Sequence, residues 1–167
     1  KRLSEIYGIH TSVLNAMPLV ARWISENVQN PIIVGPDIES EQWVKNVANA
    51  CSTPYLILNK ERFGDRDVKI TDNGLSEFKQ NTPVMVDDII STGKTMIAAS
   101  KLVKEAGLKK PVCIGIHALF VGDAYSELLH SEIERVVTCN TIQHPSNAID
   151  VTDLITEAMI EGKGLPH

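Results

Sequence analysis

Val84-Met85-Val86-Asp87-Asp88-Ile89-Ile90-Ser91-Thr92-Gly93-Lys94-Thr95 is the stretch on which the reading of this chain turns. Val84-Met85-Val86 is short and uniformly apolar, as a strand covered on both faces requires. Thr95 to Ala106 reads as a helix stopped by Gly107. Between strand and helix, two adjacent carboxylates leave the strand end and a Ser-Thr-Gly-Lys-Thr loop follows. The helix N-terminus and the amides of Ser91 to Thr95 form a pocket for a phosphate dianion, with hydroxyl donors on Ser91, Thr92 and Thr95. Gly93 allows close approach of the backbone to the anion. Asp87 and Asp88 would accept hydrogen bonds from vicinal hydroxyls or hold a hydrated Mg²⁺. Carboxylates one sugar-length from a phosphate cradle describe a ribose 5-phosphate site. Gly93-Lys94-Thr95 also matches the end of a nucleoside-triphosphate P-loop, but the first glycine of that motif would fall on Asp88, so the match fails.

The same alternation extends in both directions. Val13 to Val28 carries Val13, Met17, Val20, Ala21, Ile24 and Val28 at helical spacing, and Ile32-Ile33-Val34 follows as a buried strand ending in Gly35-Pro36-Asp37. Glu39 to Cys51 is a second helix and Tyr55 to Leu58 a second strand. Downstream, Val112 to Leu119 is a strand, Asp123 to Leu129 a helix, Val136-Val137-Thr138 a strand and Thr152 to Glu161 a last helix. Strands alternating with helices specify an α/β fold, a mainly parallel twisted sheet flanked by helices. Ligands of such sheets sit at the carboxyl ends of the strands, here Asp37, Asn59–Lys60, Asp87–Asp88 and Leu119–Gly122. Lys60 to Asn73 breaks the alternation with a charged run, of which Lys60 to Asp67 is expected to be an exposed, mobile loop.

The chain has 167 residues, expected to form a single domain over 1–167, and its 43% hydrophobic content suffices for a core. Sixteen Lys and Arg against 21 Asp and Glu give a net charge of −5, the wrong sign for tracking nucleic acid. The longest apolar run, Pro111 to Val121, is too short to cross a membrane and is interrupted by His117. No secretory pattern opens the chain. Cys51, Cys113 and Cys139 lack ligand spacing and read as small buried residues of a cytoplasmic protein. No pair of histidines has zinc spacing; His117 reads as a satisfied core histidine, and His144 carries no assigned role. The start at Lys1, not Met, is what a piece of a longer protein would show.

Val86 to Thr95 resembles the phosphoribosyl-diphosphate binding motif of type I phosphoribosyltransferases and ribose-phosphate pyrophosphokinases. Two further stretches resemble the pyrophosphokinases in particular: Val34-Gly35-Pro36-Asp37, like their strand-ending Pro-Asp, and Asn59-Lys60-Glu61-Arg62-Phe63-Gly64-Asp65-Arg66, like their catalytic flexible loop. Gly115 to Phe120 and Thr141 to Pro145 also fit, so the resemblance spans roughly Leu14 to Ile155. It implies a type I phosphoribosyltransferase-like fold. Members build a subunit from two similar domains in tandem, and this chain resembles the C-terminal one.

The resemblance implies transfer of a diphosphoryl group from Mg·ATP to the anomeric hydroxyl of ribose 5-phosphate, releasing AMP. On that footing Lys60 and Arg62 are the catalytic cations closing over the β-phosphate. Asp37 is the Mg²⁺-associated acid. Asp87 and Asp88 bind the ribose hydroxyls, and Ser91, Thr92, Gly93, Lys94 and Thr95 the 5-phosphate. Many members have a third acid where Ser91 stands and a small residue where Lys94 stands, so both mark a subclass. Expected partners are ribose 5-phosphate, ATP, a missing N-terminal domain and further copies in a homo-oligomer. Two alternatives remain: a stand-alone phosphoribosyltransferase, which needs a base-binding hood, and a non-catalytic regulatory homologue, which has no use for intact Lys60, Arg62, Asp87 and Asp88.

Overall fold

The computed structural model describes residue 6 and residues 11–58, 60–63, 67–70 and 74–163. Helix α1 (Met17–Asn27) leads into β1 (Pro31–Gly35), and a 3-10 turn (Ile38–Ser40) leads into α2 (Glu41–Cys51) and β2 (Tyr55–Ile57). A hairpin, β3 (Lys60–Phe63) and β4 (Asp67–Ile70), precedes β5 (Thr82–Ile90) and α3 (Lys94–Glu105). Strand β6 (Val112–Ala118), α4 (Ala124–Leu129), β7 (Arg135–Cys139), β8 (Asn147–Ile149) and α5 (Thr152–Lys163) complete the described elements.

Six strands form one sheet in the order β2-β1-β5-β6-β7-β8, with every pairing parallel. The expected fold class holds. One face is covered by α1 and α2, with Val20, Ile24, Val44 and Val47 packed on Ile33, Val84, Val86 and Ile114. On the other, Met96, Ala99 and Val103 of α3 and Leu128 of α4 pack on Ile32, Val34, Met85 and Cys113. This explains why Ile32-Ile33-Val34 and Val84-Met85-Val86 lack polar alternation: both faces of each strand are buried, and each large side chain contributes about 1.5–3 kcal/mol.

Several boundaries differ from those the sequence suggests. The first helix starts at Met17, not Val13, because Pro18 fits only in a first turn; Asn15 Oδ1 accepts the Met17 amide at 2.9 Å. Strand β5 does not stop at Val86 but runs on through Asp87 and Asp88 to Ile90. Its pairing with β1 ends at Val34↔Met85, while its pairing with β6 continues through Asp87↔Gly115 to Ile90↔Ala118. The acids therefore stand where β5 outruns β1 and loses one neighbour. Lys60 to Asp67 is likewise not a plain loop: Lys60↔Ile70, Glu61↔Lys69, Arg62↔Val68 and Phe63↔Asp67 pair antiparallel. Asn59 and residues 64–66 lie outside the described residues. Strand β8 carries no signal in Asn-Ala-Ile, and Cys51 is half-buried, whereas Cys113 and Cys139 are buried as expected. No helix among the described residues is long and apolar enough to cross a membrane.

Candidate functional site

The sheet order brings two strand ends side by side. The chain leaves β1 through Gly35-Pro36-Asp37, and Asp37 caps the 3-10 turn: its Oδ1 accepts the Ser40 amide at 3.2 Å, and Ser40 Oγ donates to its carbonyl at 2.6 Å. In β5, Asp87 Oδ1 accepts the Asp88 amide at 3.0 Å and Asp88 Oδ1 the Ile89 amide at 2.8 Å. Asp37, Glu39, Ser40, Asp87, Asp88 and Thr95 line one polar chamber of about 290 Å³. A smaller cavity of about 110 Å³ lies against Ser91 to Met96. Asp87 and Thr95 line both, so the acid chamber and the loop cavity are contiguous.

The loop cavity has the build of an anion cradle. Gly93 precedes α3 at φ +69°, and among the described residues no side chain caps that helix start. Its first-turn amides are thus open to a ligand. Lys94 is exposed at the first helical position, where a cation opposes the helix dipole unless an anion sits nearby. The expectation for Gly93 was room for the anion; the structure adds a packing reason. A Cβ there would lie 3.0 Å from the Leu128 side chain, at a backbone angle that L-residues avoid.

Burial pushes the Asp87 carboxyl up to about 6, with the Asp88 and Asp37 carboxylates adding to the rise and the Asp88 amide opposing it. The chamber therefore holds more negative charge than it solvates well, which a cation or hydroxyl donors would relieve. The carboxylates of the polar chamber are hard oxygen ligands of the kind Mg²⁺ takes. Among the described residues no three acids, histidines or cysteines converge on one point. The fit is thus the usual magnesium arrangement of one or two carboxylates, waters and ligand phosphates.

The structure brings Asp37, Asp87, Asp88 and Ser91 to Thr95 together. Lys60 and Arg62 are placed by backbone only, on β3, just after the β2 end beside β1; their side chains lie outside the described residues. Sequence reasoning missed what holds the cradle. The Phe120 amide donates to the Ile90 carbonyl at 3.0 Å and the Val121 amide to the Ser91 carbonyl at 3.1 Å. Phe120 packs on Tyr125 and on His144, with centroids 5.2 and 4.5 Å away. The Leu119–Gly122 strand end was the available signal, since such ends line ligand sites. His117 is half-buried, and its Nδ1 lies 2.9 Å from Thr141 Oγ1, which in turn lies 2.9 Å from the Ile116 carbonyl oxygen.

Residues 3–155 match the phosphoribosyl transferase domain family. Among curated relatives, the ribose-phosphate pyrophosphokinase of Sulfurisphaera tokodaii is 32% identical over 151 residues, covering 89% of this chain and 51% of the relative. That of Aquifex aeolicus is 26% identical over 166 residues, covering 98% of this chain and 53% of the relative. The chain spans about half the length of the curated relatives it matches. In fold, it resembles the phosphoribosylpyrophosphate synthetase of Mycobacterium smegmatis with a TM-score of 0.74 and 20% identity, over 89% of this chain and 51% of that one. The adenine phosphoribosyltransferase (APRTase) of Giardia lamblia aligns with a TM-score of 0.55 and 17% identity, over 74% and 76% of the two chains.

Proposed function

The chain belongs to the phosphoribosyl transferase domain family, and from that premise we propose that it is the sugar-phosphate half of a ribose-phosphate diphosphokinase. The reaction would move a diphosphoryl group from ATP to the C1 hydroxyl of ribose 5-phosphate, giving phosphoribosyl diphosphate and AMP. The observation that carries the reading is the continuity of acid chamber and anion cradle through Asp87 and Thr95. A ligand with a phosphate at one end and vicinal hydroxyls at the other matches that pair of cavities. The curated relatives favour a diphosphokinase over a stand-alone phosphoribosyltransferase.

In this reading the α3 amides, with Ser91, Thr92 and Thr95 hydroxyls and Lys94, hold the 5-phosphate. Asp87 and Asp88 accept from the ribose hydroxyls and fix the sugar for in-line attack. Asp37, with Asp87 or Asp88 beside it, would hold Mg²⁺, whose charge offsets that of the phosphoryl oxygens. Lys60 and Arg62 reach the transferring group from the hairpin and stabilise its charge in the transition state. The whole enzyme would add an N-terminal domain that completes the ATP site, assemble as a homo-oligomer and work in the cytoplasm.

Calorimetry on the 167-residue chain tests this. Ribose 5-phosphate should bind with help from Mg²⁺, and Asp87→Asn with Asp88→Asn should abolish binding while leaving the circular dichroism spectrum intact. Unchanged binding in the double variant would put the ligand elsewhere. The chain alone should form little product from ATP, and robust turnover would overturn the half-enzyme reading.

A further inference from the structure

His144 has no part in the reaction proposed above, yet its ring bears on the turn that braces the cradle. Just past the end of β6, Phe120 has φ +25°. Asn30 and Ser52, the other described non-glycine residues with positive φ, are small and polar. A bulky side chain disfavours that backbone region, which persists only where the surroundings over-determine it. Here the conformation has a use. It presents two consecutive amides, those of Phe120 and Val121, to the Ile90 and Ser91 carbonyls at 3.0 and 3.1 Å. Those carbonyls belong to the last residue of β5 and the first of the cradle, just before the chain turns at Gly93 into α3.

What over-determines Phe120 is a closed set of three rings. Its centroid is 5.2 Å from that of Tyr125 and 4.5 Å from that of His144, and Tyr125 meets His144 edge-on at 4.5 Å. All three separations lie in the range aromatic pairs favour. Tyr125 comes from α4, the next element of the chain, whereas His144 arrives from beyond β7 and is fixed independently. The Ser146 amide donates to its Nδ1 at 3.2 Å, and Ser146 Oγ lies 2.7 Å from the same nitrogen. Asn147 Oδ1 accepts the His144 amide at 2.8 Å. Ser146 Oγ in turn lies 2.8 Å from Thr138 Oγ1, and both residues are buried, so the ring is tied to the interior of β7. Neither Phe120 nor His144 is among the described residues that line the acid chamber and the loop cavity. Any effect of His144 on the cradle therefore passes through Phe120.

We propose that His144 is a positioning residue for the anion cradle. Its ring, oriented by Ser146, wedges Phe120 into the left-handed backbone that holds the Ile90 and Ser91 carbonyls, and so sets the aim of the Ser91–Thr95 amides. The identity of the ligand rests on the sugar-phosphate reading above, whereas the hold on the loop does not. In consequence the phosphate end of the site is braced from β7, two strands away from β5.

Hydrogen exchange on the ligand-free chain and calorimetry with ribose 5-phosphate test the assignment. In His144→Ala the Phe120 and Val121 amides should exchange about tenfold faster relative to that of Val103, which is buried in α3 and reports global opening. Ribose 5-phosphate affinity should fall about tenfold, because the amides are no longer aimed. His144→Phe keeps a ring against Phe120 and should restore both quantities to within about threefold of the wild type. Unchanged relative exchange in His144→Ala overturns the proposal, and so does a His144→Phe chain that stays at the alanine level. Faster exchange with undiminished affinity also overturns it, since the turn would then have no hold on the cradle, and leaves the sugar-phosphate reading standing. A wild-type chain that binds no ribose 5-phosphate but shows the expected exchange pattern does the reverse: it removes that reading and keeps His144 as the residue that fixes the loop.

Discussion

The cradle around Ser91–Thr95 and the hairpin of β3 and β4 serve one proposed reaction but are built in opposite ways. The cradle is fixed by residues distant in sequence: β6 continues to pair with β5 beneath it, the Phe120 and Val121 amides bind its carbonyls, and Leu128 packs against Gly93. The hairpin forms its own two-stranded sheet, and among the described residues its strands pair only with each other. A lone two-stranded ribbon is marginal in water. The contrast suggests a division of labour. Groups proposed to bind the ground state sit on the six-stranded sheet, whereas Lys60 and Arg62, proposed to act on the transition state, sit on the separate two-stranded one.

The largest effect should fall on that division. In the complete protein, Lys60→Ala should lower kcat roughly 100-fold or more, with ribose 5-phosphate affinity unchanged within about twofold. Steady-state kinetics with parallel calorimetry reads both quantities. A loss confined to KM would place Lys60 in ground-state binding and erase the contrast.

A smaller effect should test how rigid the cradle is. Gly93→Ala puts a Cβ 3.0 Å from Leu128 at φ +69°. It should destabilise the chain by about 1–2 kcal/mol in urea unfolding. The affinity for ribose 5-phosphate should fall with it, because the loop must shift to relieve the contact. A stability change under about 0.5 kcal/mol, the range of an ordinary surface substitution, would mean that the cradle yields as easily as a free loop.

The two regions also differed in how far the sequence revealed them. Ile32-Ile33-Val34 and Val84-Met85-Val86 could be read because both faces of each strand are buried and every position is apolar. The continuation of β5 through Asp87 and Asp88 could not, because polarity looked like a strand end while the extra length comes from pairing with Gly115–Ala118. The hairpin was hidden for a related reason: Lys-Glu-Arg-Phe has no apolar alternation, and its strand character lies in cross-strand pairing. Candidate ligand-binding residues could be read from Asp87 to Thr95 because their types and order carry the chemistry. The supports, Phe120, Leu128 and His144, could not, since an aromatic or a leucine shows nothing of which carbonyl or glycine it will meet.

The smallest expected effect concerns the charge stored in the rigid half. With its folded value at about 6 against an ordinary 3.8, Asp87 binds a proton more tightly in the folded chain than in the unfolded one. Its contribution to stability is therefore fully present below about pH 3.8 and is lost as pH rises through about 6. At pH 8 the ionised carboxylate, partly buried and also crowded by Asp88 and Asp37, destabilises the fold. Asp87→Asn should then raise Tm at pH 8 while removing a sugar ligand, and the gain should vanish near pH 4. Because Asp87 is only partly buried, solvent screening holds the gain to about 1 kcal/mol or less. That corresponds to a Tm rise of roughly 2–4 °C. Lys60→Ala, on a hairpin whose strands pair only with each other among the described residues, should leave Tm within about 1 °C at either pH. A Tm that falls in Asp87→Asn at pH 8 would mean that the hydrogen bond from the Asp88 amide outweighs burial and repulsion together. The acid pair would then be a structural brace, and the rigid half would carry no strained charge for a ligand to relieve.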